Sequence, residues 1–139
     1  MAGVVPILAI LLAVATGCRG GAVSHDPPVD LVIANIEGTE ISVVLELVEI
    51  RQQESEGDYT TWQLDGVVME SLKGGLTPGE RIRYRRTIEA GRDALVPGSR
   101  HLASFVRRDG RLWLPDSAYH FAYTPTLERD LAARLRASD

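Results

Sequence analysis

The sequence predicts an all-β domain, a small Greek-key barrel followed by a C-terminal α-helix. Short apolar stretches alternate with turn signals such as Pro78-Gly79 and Pro97-Gly98 along most of the chain, a spacing typical of all-β domains. Asp109-Gly110 is a two-residue hairpin signal between two of these stretches. Near the C-terminus the apolar period changes from two residues to about four, which indicates a helix.

The predicted strands lie between residues 31 and 123. Asp65-Gly66 is expected to mark a β-bulge, and the acidic segment from Glu54 to Asp58 is expected to be a loop. Alternation within the strands also selects a core. The strands are Leu31 to Ile33, Ile41 to Ile50, Tyr59 to Leu72, Arg81 to Ile88, His101 to Arg107, Leu112 to Leu114 and Ala118 to Tyr123. The expected core residues are Val43, Leu45, Leu47, Val67, Ile82, Leu102, Phe105 and Trp113.

The C-terminal helix is predicted for residues 124–139. Leu127, Leu131 and Leu135 form a stripe at helical spacing and are expected to pack on the barrel. Thr124 is suited to cap the helix and Pro125 to occupy its first position.

The N-terminus is predicted to be a secretory signal, residues 1–17, that ends at Cys18. Val4 to Ala15 is almost entirely apolar, but this run is too short to span a bilayer as a helix. Ala15-Thr16-Gly17-Cys18 resembles the lipobox of bacterial lipoproteins, which implies acylation of Cys18 and attachment to a membrane. Ala13-Val14-Ala15 offers an alternative, ordinary cleavage site. Residues 18–28 then form a lipid-anchored linker, and residues 29–123 the barrel domain.

Three segments carry a further resemblance: Asp65 to Gly74, Pro78 to Ile82, and Leu95 to Phe105. Together they resemble small exported bacterial domains with an OB-like fold, similar to the netrin-module and tissue-inhibitor-of-metalloproteinase superfamily. His101 stands where this family usually has Tyr. The resemblance implies an OB-like barrel but no activity. The inhibitors of this superfamily use a free N-terminal Cys and disulfides, whereas this chain has one Cys.

No catalytic motif is found, and we expect neither an enzyme nor a cofactor. His25, His101 and His120 lack the short spacing of a metal pair, so no metal site is expected. A hydrolase whose site assembles in space remains the alternative, and a cleft with Ser104 or His101 beside a carboxylate would favour it. Four aromatic residues could either line a ligand groove or fill the core: Trp113, Tyr119, Phe121 and Tyr123.

Charge is segregated along the chain, although the net charge is only -4. Acids dominate from Asp26 to Glu70, and arginines dominate from Arg81 to Arg111. Because Arg81, Arg83 and Arg85 alternate, they should project from one face of one strand. This row could pair with an acidic strand carrying Glu46 and Glu49, or it could dock an anionic partner.

These observations favour a non-enzymatic binding or interaction module that is exported and anchored in the bacterial cell envelope, periplasmic or on the outer surface. A structural spacer is the remaining alternative. The expected partners are the membrane, through the lipid on Cys18, and an anionic envelope component or protein. Nucleic acid is not expected, because the net charge is negative and an exported protein seldom meets it.

Overall fold

The computed structural model describes residues 26–92 and 95–139. The predicted signal peptide, Cys18 and most of the predicted linker lie outside these residues. The described part consists of one antiparallel sheet and two α-helices. The prediction of a mostly β fold with a C-terminal helix is therefore confirmed.

The first element is a helix, α1 (Val29–Gly38), where a short strand beginning at Leu31 was predicted. Val32, Asn35 and Ile36 are its buried residues, and positions three and four apart lie on one face of a helix. The strand prediction was wrong because a run of three apolar residues does not distinguish a buried strand from one turn of an amphipathic helix.

Six strands form the sheet: β1 (Ile41–Glu56), β2 (Tyr59–Lys73), β3 (Arg81–Glu89), β4 (Arg100–Arg108), β5 (Arg111–Trp113) and β6 (His120–Ala122). Their order is β3-β2-β1-β4-β5, with β6 paired to β4. All of the observed pairings are antiparallel.

The first hairpin is longer than predicted. The segment from Glu54 to Asp58, predicted to be a loop, is mostly strand: β1 continues to Glu56, and only Gly57 and Asp58 form the turn. Gly57 has a φ of 58°, which suits a two-residue hairpin turn. The loop prediction was wrong because cross-strand pairing sustains these exposed polar residues in a strand.

The predicted bulge is present, although its extra residue lies on the opposite strand. Leu47 pairs with Gly66 and Glu49 with Asp65, so Val48 has no partner on β2. Gly66 also fits a close approach, because a Cβ atom there would lie 2.9 Å from Cδ1 of Leu45. A bulge of this kind bends the strand that carries the extra residue and increases its local twist.

The sheet is open between β3 and β5. From the antiparallel pairings, β3 and β5 run in the same direction, and β5 lies beside β3. In the described part of the chain no ladder of backbone hydrogen bonds joins them. The side chain of Arg86 on β3 instead reaches the segment that follows β5: its Nη2 donates to the carbonyl oxygens of Ser117 and His120, at 3.3 and 3.2 Å.

Two hydrophobic cores stabilise the fold. The larger lies inside the curved sheet around Phe105, whose ring meets that of Tyr84 edge-on at 4.9 Å. The smaller lies between α1, the sheet and α2. Of the eight predicted core residues, six are buried, Val67 is half-buried and Trp113 is 49% exposed. The Trp113 prediction was wrong because Leu112 and Leu114, its neighbours in an alternating strand, face the core.

The strand predicted from Ala118 to Tyr123 is interrupted. A short 3₁₀ helix, Ser117–Tyr119, precedes β6, and the carboxylate of Asp116 accepts a hydrogen bond from the backbone N–H of Ala118 at 2.7 Å. The aromatic residues around it divide between the cores: Tyr119 packs against the larger one, and Phe121 and Tyr123 against the smaller.

Helix α2 (Pro125–Ala137) begins as predicted, with Thr124 as its cap and Pro125 at its first position. Leu127 and Leu131 are buried, which confirms that the helix is docked, but Leu135 is 40% exposed near its end. Arg134 forms an ion pair with Asp30, and Thr124 donates a hydrogen bond to Asp26 at 2.7 Å. The first contact joins the two helices, and the second joins the segment before α1 to the cap of α2.

We expect Thr124→Ala to lower the free energy of unfolding by about 1 kcal/mol. The hydroxyl oxygen accepts a hydrogen bond from the backbone N–H of Leu127 at 3.1 Å, and alanine leaves this N–H without its cap. Urea unfolding followed by circular dichroism measures the loss. Thr126→Ala, at an exposed position in the first turn, is the control, and an equal loss in both variants would contradict the capping role.

Candidate functional site

The row of arginines on β3 has the predicted geometry. Residues along β3 alternate strictly between exposed and buried positions, so Arg81, Arg83 and Arg85 share the outer face while Ile82 and Tyr84 face the core. The apolar residues of β3 are the buried ones, which decides which face of the strand the arginines occupy, as the sequence indicated. Three cationic side chains therefore stand in line on one exposed strand.

A buried carboxylate neutralises one end of this row. The side chain of Asp65 on β2 is 5% exposed; its Oδ2 accepts a hydrogen bond from Nη2 of Arg81 at 3.0 Å, and its Oδ1 accepts one from Nε of Arg83 at 2.8 Å. These hydrogen bonds, that of Arg83 above all, hold the pKa of Asp65 below its ordinary value despite burial. Glu49 adds a second contact, accepting from Arg81 at 3.1 Å.

The sequence offered Glu46 and Glu49 as partners for the arginine row, and only one of them pairs with it. Glu49 pairs with Arg81, whereas Glu46 forms no ion pair with the described residues. Asp65 was missed because it was assigned to the bulge. The signal was present, since an acid directly opposite an arginine row can satisfy two guanidiniums from one position.

We expect Asp65→Asn to lower the free energy of unfolding by about 1 kcal/mol, because it removes the charge between two guanidiniums while these remain largely in solvent. Urea unfolding at pH 7 measures this effect. This loss should vanish in acid. Because the pKa of Asp65 is lowered in the folded protein, the ionised carboxylate stabilises the fold above 3.8, the pKa of the unfolded chain, and this stabilisation is lost as the pH falls below that value. Glu49→Gln is the control, with a smaller expected loss, and equal losses would contradict the central role of Asp65.

The other end of the row opens on a groove along the seam between β3 and β5. Its volume is about 980 Å³. Arg83, Arg85 and Thr87 line one side, and the β5 segment from Gly110 to Ser117 lines the other. Tyr59 and Trp113, which are 56% and 49% exposed, also contribute to the lining. The groove therefore combines cationic and aromatic side chains.

Two of its cations are not neutralised. Among the described residues, the side chains of Arg85 and Arg111 make no hydrogen bond or ion pair, and both residues are exposed. The acids in the lining are Glu54 and Asp116, and the carboxylate of Asp116 already accepts from Ala118. Sequence analysis identified Arg85 but not Arg111, because only the fold brings the hairpin from Arg108 to Arg111 opposite β3.

Trp113 is the one of the four candidate aromatic residues that reaches the groove. The guanidinium of Arg108 lies 5.8 Å from the centre of its ring, within the range of a cation–π contact. Arg111 and Trp113 are two residues apart on β5 and therefore share one face of that strand.

Buried polar side chains lie behind the groove, inside the sheet. The hydroxyl of Tyr84 is 2.8 Å from Nε2 of His120, and the rings of His120 and His101 lie 4.7 Å apart. Burial, with the nearby charge of Arg86, pushes the pKa of His120 well below its ordinary value of 6.5. Burial also raises the pKa of Tyr84. Both groups are therefore neutral near pH 7.

The nucleophile considered for a hydrolase lies away from solvent. Ser104 is fully buried, and its hydroxyl is 2.8 Å from that of Ser42. His101 is also buried and lies 2.8 Å from the hydroxyl of Ser99. Within residues 26–92 and 95–139, no three His, Cys, Asp or Glu side chains are placed to hold a metal ion. None of the described helices is long and apolar enough to cross a membrane.

Comparison of the sequence with protein-family models matched none of them, and comparison with curated proteins found no similar sequence. The function must therefore be argued from the site itself.

Proposed function

We propose that the protein is a lipid-anchored, non-enzymatic binding module of the bacterial cell envelope that holds an anionic partner in the groove between β3 and β5. The observation that carries this proposal is the pair of exposed guanidiniums without carboxylate partners, Arg85 and Arg111. Guanidiniums that line one concave surface are suited to bind carboxylate or phosphate groups. The OB-like barrel is part of the proposal: it is supported by the position of β5 beside β3, although no ladder joins these strands in the described residues.

The anchor part of the proposal rests on Cys18 and the residues before it. Acylation there would tether the domain to a membrane without any spanning helix. Metabolic labelling with a fatty acid should mark the wild-type protein and leave Cys18→Ser unlabelled. Label retained by the variant would end the lipoprotein interpretation and leave the ordinary cleavage site after Ala15.

The binding part is tested by crosslinking the full-length protein in its native envelope. The wild-type chain should give a discrete crosslinked product that weakens at higher salt, because exposed charges are screened. The double variant Arg85→Gln with Arg111→Gln should lose it. Arg136→Gln, which removes an exposed cation on α2, is the matched control and should retain it.

Two outcomes would contradict the proposal. A product unaffected by the double variant would place binding elsewhere on the surface. No product in any variant, together with normal folding, would favour a structural spacer.

A further inference from the structure

Exposed aromatic rings line the groove between β3 and β5. Tyr59 and Trp113 are the two exposed aromatic side chains in the described part of the chain, and both belong to this lining. Aromatic rings stabilise a fold when they are buried, so their placement in one concave surface is not explained by packing. Such a surface, with a few polar groups among the rings, is typical of a ligand site.

The groove also offers neutral hydrogen-bonding groups. Thr61 and Thr87 line it, and their hydroxyl oxygens lie 2.8 Å apart. One hydroxyl donates to the other, so a second O–H is left to donate to a ligand. Gln63, also in the lining, accepts from Nε2 of Gln53 at 2.6 Å, so its own amide nitrogen keeps its donors. Glu54 adds carboxylate acceptors.

These groups match the chemical features of a sugar ring that carries a carboxylate. The C–H groups of such a ring form apolar faces that pack on aromatic side chains. Its hydroxyls both donate and accept hydrogen bonds. Its carboxylate pairs with a guanidinium, and the side chains of Arg85 and Arg111 make no ion pair with the described residues. Rings, neutral polar groups and cations thus each have a counterpart in one ligand.

We propose that the groove binds an acidic glycan, a chain of sugars whose rings carry carboxylates. This inference deepens the proposed function and rests on it. Sugar rings pack on Trp113 and Tyr59, carboxylates pair with Arg85 and Arg111, and the neutral polar groups of the lining bind ring hydroxyls. Tyr59 pairs with Glu89, four residues beyond Arg85 on β3, about 13 Å along the strand. This length exceeds one sugar ring, so the ligand is a chain.

Other anionic partners use less of this surface. A peptide strand cannot add to β3 here, because β5 already lies beside it. Lipid head groups are held in the broad surface of a bilayer, which a concave groove does not follow. An oligonucleotide meets the rings and the arginines, but nucleic-acid sites neutralise a run of phosphates with many cations. This groove instead combines two unneutralised arginines with the acids Glu54 and Asp116.

The test measures the binding of fluorescently labelled hexasaccharides to the full-length protein in non-ionic detergent. The probes are hexasaccharides of galacturonate, of mannuronate and of hyaluronan, and fluorescence anisotropy gives each Kd. At least one probe should bind with a Kd below about 1 mM. Reduction of its carboxylates to alcohols should raise this Kd at least about tenfold, because the arginines then lack an anion. Failure of all three probes, or equal binding of the reduced form, would overturn the acidic glycan as ligand.

Substitutions separate the charged contacts from the packing on the rings. For the probe that binds most tightly, Arg85→Gln and Arg111→Gln should each raise the Kd about tenfold. Trp113→Ala should raise it by a similar factor, about tenfold, because a ring face loses its aromatic partner. Arg136→Gln, at an exposed position on α2, is the matched control and should leave the Kd unchanged. Circular dichroism should show that all variants are folded.

A spectroscopic measurement reports on Trp113 directly. The chain has two tryptophans, and Trp62 packs, partly buried, against the larger core, so Trp62→Phe leaves Trp113 as the sole indole. The bound hexasaccharide should protect the fluorescence of this variant from quenching by acrylamide. The carboxyl-reduced form at the same concentration should protect it less. Unchanged quenching at a saturating concentration of probe would overturn packing of the sugar on Trp113.

The outcomes separate this inference from the proposed function. The product crosslinked in the native envelope should contain uronic acid, which a colorimetric assay detects. If that product depends on Arg85 and Arg111 but contains no uronic acid, the proposed function stands and the acidic glycan fails. If the product persists without these arginines, both fail. Stronger binding to phosphatidylglycerol vesicles or to an oligothymidylate than to every hexasaccharide would also overturn the glycan.

Discussion

Replacing Phe105 by alanine is expected to lower the free energy of unfolding by about 3–5 kcal/mol. Phe105 is fully buried and is among the largest buried side chains of the fold. Its ring packs edge-on against Tyr84, so that alanine would leave a cavity where β4 meets β3 across the larger core. Urea unfolding at pH 7, followed by circular dichroism, measures the loss, and a severely unstable variant would be measured with a stabilising osmolyte.

Trp113→Ala is the matched control. Both aromatic residues were predicted to be buried from the sequence, but the structure leaves Trp113 49% exposed. We expect its replacement to cost less than about 1 kcal/mol, because little buried area is lost. A loss as large as that of Phe105→Ala would mean that Trp113 belongs to the core and would remove it from the groove.

The second large effect is a loss of stability in mild acid that depends on His120. This side chain is buried among Tyr84, Arg86 and His101, and its pKa in the folded protein is well below 6.5. The unfolded chain therefore binds a proton near pH 6.5 that the folded chain does not. The neutral His120 side chain therefore contributes fully to the free energy of unfolding above pH 6.5. This contribution is lost as the pH falls toward the folded-state pKa, by up to about 1.4 kcal/mol per pH unit.

Urea unfolding at pH 7.5, 6.0 and 5.0 measures this slope. In His120→Gln, an amide can still reach the Tyr84 hydroxyl but cannot bind a proton in this pH range. The free energy of unfolding should therefore fall less steeply with decreasing pH, by about the slope that one titrating group supplies. Tyr84→Phe is the control: it removes the hydroxyl partner of His120 but keeps the imidazole buried, and so should preserve the slope. An unchanged slope in His120→Gln would assign the acid sensitivity to another group. The contribution of Asp65 to stability is lost only below pH 3.8, so it does not affect measurements between pH 7.5 and 5.0.

The sequence predicted the elements that alternate strongly. β3 shows strict alternation over nine residues, so its core face and its arginine row followed directly from the pattern. The capped end of α2 was equally clear, because Thr124 and Pro125 have well-defined positional preferences. These features depend on local chemistry, which a single sequence records.

What the sequence left undetermined depends on which segments meet. The helical state of Val29 to Gly38 follows from burial against α2 near the other end of the chain. The groove likewise needs Arg85 and Arg111, from different hairpins, to line the same surface, and it forms where no ladder joins β3 to β5 in the described part of the chain. No local pattern encodes such long-range arrangements.

The meeting of α1 with α2 has a consequence for when the domain can fold. Asp26 contacts Thr124 across 98 residues, and Val32 and Ile36 share the smaller core with Leu127 and Leu131. During synthesis, the apolar face of α1 therefore emerges long before the segment that covers it. Contacts between distant parts of a chain form late, so the nascent polypeptide must be nearly complete before this core can close. If the chain is exported as proposed, this core would stay open until late in synthesis, which favours threading through a narrow translocation pore.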